Sequence, residues 1–590
     1  MLRSRFGLSE GTNLDDAQAL LRGQVSKVLD DRKVGDVCFF LGQILDVPFP
    51  DSPLTKALRD DPAEGRMLRR AVIKSFFEAD AARSPICLVL DDLDTAGEDS
   101  IALVSYLAEH VRGPLLLVCS MRPEMAVAHP GWPKLGGERH VRIDMGAVDA
   151  EIARRVMRAL LAPTEGGVPE LLVDAGVRLA GGNLGLLRAL IQIFRDSGVL
   201  VATAGPSGEL RYQAHLDRLE DVELPVNVDE TVAMRVAALA PPERQLLERA
   251  AAMGKVFWAG ALVVLERAER KPPAFWELAE TSEVDTIDGL LASLEDRGYV
   301  ARTPSSSFPG ETQLTFCHQR ERQHLGALTP PDRRAAHHLA IAEWLRLRQP
   351  EPPTREHLVL LAYHLDLGGA AVRAGLTYLD AADSARESYA ARDAVAQYER
   401  GLELLGEAEA LRRVDAIHHL GEVLHTVGRT DDALRAYRDM LALAYRLDLP
   451  EKGGTAHDRL GRLYRATGAL PEAQRHLETA LALFESVADA RGVAACHDDV
   501  GLLLWTKGDY EDALRRLRTA LELRKGLGER RAIAQSLHNV GMVLRDFGRP
   551  QKAQEALDAA LVIRREEGDL IGVAQTLDGL GQLAGDQREL

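Results

Sequence analysis

Leu460-Gly461-Arg462-Leu463-Tyr464-Arg465-Ala466-Thr467-Gly468-Ala469-Leu470-Pro471-Glu472-Ala473 is one copy of a pattern that fills the C-terminal part of this 590-residue chain. Its leading dipeptide returns as Leu420-Gly421, Val500-Gly501, Val540-Gly541 and Leu580-Gly581, always at a step of 40 residues. Gly428, Gly468, Gly508 and Gly548 keep that step, as do Ala433, Ala473, Ala513 and Ala553. Agreement at three positions over so many copies means tandem units, and units that touch only their neighbours build a solenoid. Apolar residues at helical spacing precede and follow the second Gly, so each unit is predicted to be two helices, A and B. The first Gly and the Ala are small because the helices cross closely there. The second Gly ends helix A in a turn, where a left-handed residue is favoured.

The arrangement Leu-Gly-x-x-[Leu/Tyr]-x-x-x-Gly-x-x-x-x-Ala resembles the tetratricopeptide repeat, with each unit about six residues longer than the usual 34 or so. Tyr445, Glu485, Lys525 and Arg565 stand where that family has a late Pro, which fits longer helices. Four upstream segments, 335–346, 357–367, 375–388 and 392–405, extend the array, which is predicted over 333–590. Such a solenoid has a groove lined by helix A. Counting from Leu-Gly, its candidate lining residues are His418, His419, Glu422, Asp458, Arg459, Arg462, Asp498, Asp499, Trp505, His538, Asn539, Arg545 and Asp578. Asn539 matches the Asn that grips a peptide backbone in the relatives. Mixed charge along these positions points to one shaped protein or peptide partner. No catalytic grouping and no metal site is expected, since His418 and His419 are adjacent and should diverge around one helix.

Working towards the N-terminus, the next informative stretch is Ile86-Cys87-Leu88-Val89-Leu90-Asp91-Asp92-Leu93-Asp94. Five apolar residues ending in two carboxylates read as a fully buried parallel strand that delivers acids to the C-terminal edge of a sheet. Pro114 to Ser120 reads as a second strand, ending in Met121-Arg122-Pro123-Glu124. In order and spacing the pair resembles the AAA+-like module of signal-transduction ATPases of the STAND class. The resemblance implies that Asp91 would hold Mg²⁺, Asp92 would orient a water and Arg122 would sense a terminal phosphate. Relatives carry Glu-Asp-Leu-His-Trp-Ala-Asp after the first strand, whereas here Asp94, Thr95 and Gly97 replace His, Trp and the last Asp.

Such a site needs a G-x-x-x-x-G-K-[ST] loop whose amides and Lys cradle the phosphates. None precedes Ile86, and Gly254-Lys255 has Arg249 and Val256 at the flanking positions. Phosphoryl transfer rests on positioning and charge stabilisation, so no cofactor and no ATP hydrolysis are expected for this chain alone. ATP and Mg²⁺ would enter only if the site were completed. The resemblance places Met1 inside the module, through a misassigned start, a truncated gene or a degenerate remnant.

Residues 1–146 are thus predicted to be a partial α/β nucleotide-binding module, mainly helical up to residue 82 apart from the proline-rich loop 47–53, with a further strand at Val141 to Asp144. Residues 147–198 read as a helical lid. There Asn183, in Gly182-Asn183-Leu184, resembles the Gly-Asn-Pro turn that lies near a nucleotide base. Residues 199–230 contain a linker hairpin around Gly205-Pro206-Ser207-Gly208. Residues 231–330 read as helix, helix, helix, strand, loop, strand, the order of a winged helix. His318, in Phe316-Cys317-His318, resembles a diphosphate-sensing His. A DNA-reading helix would be basic, but this one and its lead-in carry Glu283, Asp285, Asp288, Glu295 and Asp296 against Arg297, so an intramolecular clamp is the favoured use.

A net charge of -17 argues against general nucleic-acid or anionic-membrane binding. The five cysteines (Cys38, Cys87, Cys119, Cys317 and Cys496) have no metal-ligand spacing and read as reduced core residues. Neither a signal peptide nor a membrane span is evident, which predicts a cytoplasmic protein. The fold class is mostly α, and the function it implies is a signalling scaffold with a remnant ATPase module. An active STAND-type switch, if the phosphate loop is supplied upstream, and a transcription regulator are the alternatives. Oligomerisation is left open.

Overall fold

The computed structural model describes residues 5–8, 14–29, 31–45, 47–50, 62–204, 210–221, 228–269, 282–350 and 352–586, and it is mostly helical. Its N-terminal unit packs α1 (Leu14–Ser26), α2 (Asp31–Leu45) and α3 (Pro62–Arg83) against a small sheet. The sheet is β1 (Ile86–Leu90) and β2 (Leu115–Cys119), joined through α4 (Glu98–His110) and followed by the short α5 (Glu124–Ala128). The strands pair in parallel from Ile86 opposite Leu115 to Leu90 opposite Cys119. Phe6, Leu21, Phe40, Leu41 and Phe76 form the core beneath it, with Ile86, Leu88 and Leu115 turned towards them. Residues 47–50 are irregular; 51–53 lie outside the described residues.

Three expectations are corrected here. β1 is not buried on both faces: Cys87 is exposed, and Val89, Leu116 and Val118 are 49%, 58% and 45% exposed. A parallel sheet is covered on both sides only when crossover helices lie on both, and the described helices cover one. Cys317 is exposed as well, so only Cys38 and Cys496 are fully inside the protein. Val141 to Asp144 forms no strand. Val141 and Ile143 stand 78% and 75% exposed, and no strand among the described residues lies beside them to pair with.

Next come α6 (Ala150–Leu161), α7 (Glu170–Ala180) and α8 (Leu184–Asp196), then the antiparallel pair β3 (Leu200–Ala204) and β4 (Leu210–Ala214). The connecting residues 205–209 lie outside the described set. The following unit runs α9 (Val228–Ala237), α10 (Pro241–Met253), β5 (Val256–Trp258), α11 (Ala259–Glu269), α12 (Ser282–Asp296), β6 (Val300–Arg302), β7 (Gln313–Phe316) and α13 (Gln319–Leu328). β7 is the central strand, antiparallel to both β5 and β6. β5 is additional to the expected order. Gly254, at φ 132°, releases the chain from α10 just before the strand-favouring Val-Phe-Trp.

The array comprises α14 (Pro331–Leu347), α15 (Arg355–Leu367), α16 (Ala371–Glu387) and α17 (Ala391–Leu405), then α18 (Ala410–Thr426), α19 (Thr430–Arg446), α20 (Pro450–Ala466), α21 (Leu470–Ser486), α22 (Ala490–Lys507), α23 (Tyr510–Leu527), α24 (Arg530–Asp546), α25 (Pro550–Glu566) and α26 (Leu570–Asp586). Gly428, Gly468, Gly508 and Gly548 close the A–B turns at φ between 71° and 88°. The first Gly of each unit is a contact point. A Cβ on Gly461, Gly501 or Gly541 would lie 2.6–2.7 Å from the Leu of the next helix, and one on Gly421 2.6 Å from the Tyr437 ring. Ala433, Ala473, Ala513 and Ala553 are wholly buried.

The N-terminal unit docks on this array. Asp99 accepts hydrogen bonds from the backbone amides of Arg392 and Asp393 at 2.8 and 3.1 Å, so it caps α17 from outside. Arg69 donates to the Ser388 carbonyl at 3.1 Å. Tyr389, at φ 59°, is buried in the same apolar cluster as Phe40, and Ile571, at the start of the last helix, packs against that cluster too.

The crossing predicts unequal costs for two glycines of the same repeat position. Gly461→Val should destabilise the array by about 1–3 kcal/mol, because a side chain must enter filled space. A Cβ added at Gly581 would meet no described atom within 4 Å, and Gly581→Ala should be neutral or stabilising by up to about 1 kcal/mol. Urea unfolding of the two variants measures the difference.

Candidate functional site

Helix A of each unit (α18, α20, α22, α24, α26) carries the residues proposed for a groove. Their arrangement follows from the 40-residue step, which brings equivalent positions of successive A helices side by side. Residue 422 meets 459, and 462 meets 499, across one gap each. Arg459 donates to Glu422 at 2.8 Å, and Arg462 bridges Asp458 at 3.1 Å and Asp499 at 2.7 Å. Asp498 is held by Arg524 and by Ser536, and the Cys496 thiol lies 3.9 Å from Asp458. Arg564 donates to Gln535 at 2.5 Å and to Thr576 at 2.6 Å.

The carboxylates are therefore not an open lining. Asp458, Asp498, Asp499 and Asn539 are 5–8% exposed, which corrects their placement as groove contacts. Neighbouring A helices pack closely enough that the row behind the Leu-Gly faces the next helix rather than solvent. Burial raises the Asp458 carboxyl and pushes that of Asp498 up to about 6 despite the adjacent Arg524. The groove candidates that keep solvent contact are His418, His419, Glu422, Arg459, Arg462, Trp505, His538, Arg545 and Asp578. Trp505 donates to Asp546 at 2.9 Å.

A second correction concerns the histidines. His418 Nε2 lies 3.4 Å and His419 Nδ1 3.5 Å from the two oxygens of Glu422. Residue 422 is four positions from one and three from the other, so it stands between their directions on the helix. Each ring presents a different nitrogen, and the two side chains converge where their Cβ atoms diverge.

At the sheet of the N-terminal unit, Asp91 and Asp92 sit at the C-terminal end of β1 and Arg122 just past β2. The structure brings cations of this chain to them. Lys255 reaches Asp92 at 3.2 Å, and Arg122 is turned onto Asp94 at 2.5 Å. The Ser120 hydroxyl donates to Asp91. The Arg122 hydrogen bond holds the Asp94 carboxyl below the ordinary carboxylate range. Asn183 caps α8, accepting from the Leu186 amide at 3.1 Å. Burial, then Arg235 and Arg188, lower the pKa of His318. Sequence reading missed Arg235, which is 2% exposed and paired at 2.5 Å with the equally buried Glu321, under the Tyr299 ring. Both lie in ordinary helical patterns, and neither position signals burial of a charge.

Residues 416–451, 454–526 and 533–567 match models of the tetratricopeptide repeat, and this part of the chain is such an array. No match was found among curated proteins. Among solved structures, BtubC (BKLC) from P. vanneervenii is similar at 23% identity over 40% of this chain and 92% of that one, with a TM-score of 0.30. A signal transduction ATPase with numerous domains, with a tetratricopeptide repeat sensor, from Pyrococcus horikoshii is similar at 12% identity over 93% and 78%, with a TM-score of 0.38. Aspartyl phosphate phosphatase F from Bacillus subtilis is similar at 10% identity over 62% and 96%, with a TM-score of 0.31.

Two measurements probe these charges. Arg462→Met leaves two buried carboxylates facing each other and should cost up to about 3–5 kcal/mol in urea unfolding. Adding Asp458→Asn and Asp499→Asn should recover most of it. In α14 and α15, His338 and His364 share a hydrogen bond of 2.9 Å, and burial lowers them to about 4 and about 3. Both values lie below the ordinary 6.5, so the stability they contribute is fully present above that pH and lost as pH falls through 4. The thermal midpoint should drop between pH 7.5 and pH 5, and less steeply in His364→Gln.

Proposed function

We propose that this chain is a regulatory scaffold that recognises a protein or peptide on its tetratricopeptide array, and that its N-terminal unit is a remnant of a STAND-type ATPase module. The observation that carries the first part is the repeat array itself, a class of surface built to present helix faces to a partner. Nine of the thirteen candidate positions keep solvent contact, and their charges are mixed. This supports a shaped ligand over a uniformly acidic or basic tail.

The remnant reading is supported by the acids at the sheet edge. Nucleotide phosphates bring a dense negative charge, which Asp91 and Asp92 repel unless a cation bridges them, and Lys255 and Arg122 already engage acids of this chain. We read the unit from α9 to α13 as a winged helix acting as a clamp, since Lys255 lies at its edge and ties it to the sheet. Asp285, Asp288 and Asp296 are exposed on α12, which sets this unit against DNA phosphates. One observation favours a second reading, an ATP-dependent switch completed by a segment outside these residues. The face carrying Cys87, Val89, Leu116 and Val118 is apolar and bare, as the sheet of a fuller module would be before its other helices cover it.

Calorimetry with ATP and ADP in the presence of Mg²⁺ separates the two. No heat of binding is expected for this chain or for Asp91→Ala. Micromolar binding that is lost in Asp91→Ala would replace the scaffold reading with the switch.

A further inference from the structure

We infer that His418, His419 and Glu422 form a binding site for one first-row transition cation, with Zn²⁺ the ion their donor set suits. The three offer His Nε2, His Nδ1 and a carboxylate oxygen, all within 4.8 Å of one another. A tetrahedral Zn²⁺ with bonds of about 2.0–2.1 Å spaces its ligands about 3.3–3.4 Å apart. His418 Nε2 lies 3.4 Å from one Glu422 oxygen and His419 Nδ1 3.5 Å from the other, each close to that edge length, so one edge of the tetrahedron already exists whichever oxygen binds. The ring centroids are 5.3 Å apart and all three donor atoms lie within 4.8 Å of one another, so side-chain rotation is the motion that would close the remaining edges.

A plain histidine–glutamate hydrogen bond accounts for this geometry less well. The Nδ1 atoms of both His418 and His419 are buried and make no well-formed hydrogen bond among the described residues, the His419 nitrogen having only its long contact of 3.5 Å with Glu422. Buried polar atoms are rarely left so, and the need for a bound ion is one of the few explanations for them. The side chains are 18%, 29% and 31% exposed, which leaves a path for an ion and at least one coordination position for water or a partner's ligand atom.

Arg459 opposes the ion. It donates to Glu422 Oε1 at 2.8 Å and places a fixed positive charge beside the site. Oε2, which faces His419, carries no such contact, so the carboxylate can serve the arginine with one oxygen and a metal with the other. This competition sets the direction of the decisive variant. Arg459→Met removes a rival cation and should tighten metal binding.

The test uses the full chain stripped with a chelator and titrated with Co²⁺ and then Zn²⁺. One equivalent of Co²⁺ should bind, with the intense visible absorption of four-coordinate cobalt, and Zn²⁺ should displace it. His418→Gln with His419→Gln should weaken binding at least tenfold, whereas His425→Gln, an exposed histidine on the next turn, should leave it unchanged. Arg459→Met should strengthen binding severalfold, a gain that misfolding cannot mimic if the double variant is unstable. Binding that is equally weak in the chain and the double variant, or a weak six-coordinate spectrum unaffected by Arg459→Met, overturns the site.

Discussion

The array depends on a contact that has no side chain on one side. At Gly421, Gly461, Gly501 and Gly541 the backbone of helix A is pressed against a Tyr or Leu of helix B, closer than a Cβ would allow. That approach lets the buried Ala on helix B meet helix A, and it sets the tilt with which each unit is handed to the next. The polar row between A helices follows from the same tilt. Arg462 can bridge two carboxylates on different helices only because the units repeat at one distance. A hydrophobic seam there would be more tolerant of slip. A row of paired charges fixes register, since a shifted unit leaves an ion without its partner.

The N-terminal unit shows the opposite economy. Two parallel strands are too few to bury both faces, and a cluster of acids at their end is satisfied from within by Lys255, Arg122 and Ser120. In the structure these acids form a small network of ion pairs within the chain. It joins the sheet edge to the neighbouring unit through Lys255. The same residues can serve a joint between units or a metal and its nucleotide, and their neighbours determine which.

The repeat architecture was legible in the sequence because its cause is local and recurs: a missing Cβ, a left-handed turn, a small residue. The helices from 410 to 586 fall where the periodicity of Gly and Ala placed them. The groove was less legible. Position counted from Leu-Gly gives the side of the helix a residue occupies, but whether that side faces solvent depends on the neighbouring helix, and Asp458, Asp498, Asp499 and Asn539 proved to be inside. The meeting of His418 and His419 was missed because angular spacing of Cβ atoms says nothing of which ring nitrogen is used. β5 and the bare face of β1 escaped for a related reason. Both depend on what packs alongside, and a short apolar run reads the same whether it is covered on one side or two.

The left-handed tyrosine has a consequence for the whole molecule. Where later units place Gly in the A–B turn, this one places Tyr389, a conformation costing about 1–2 kcal/mol for a residue with a side chain. Its ring lies in the cluster that Ile571 touches from the far end of the array. The solenoid is thus pinned to one body near both its ends, like a bow held by its string. Each small rotation between repeats adds to the next, so any bending that a ligand induces in the middle must strain one of two distant anchors. Bending of the array and the packing of the N-terminal unit are therefore mechanically linked.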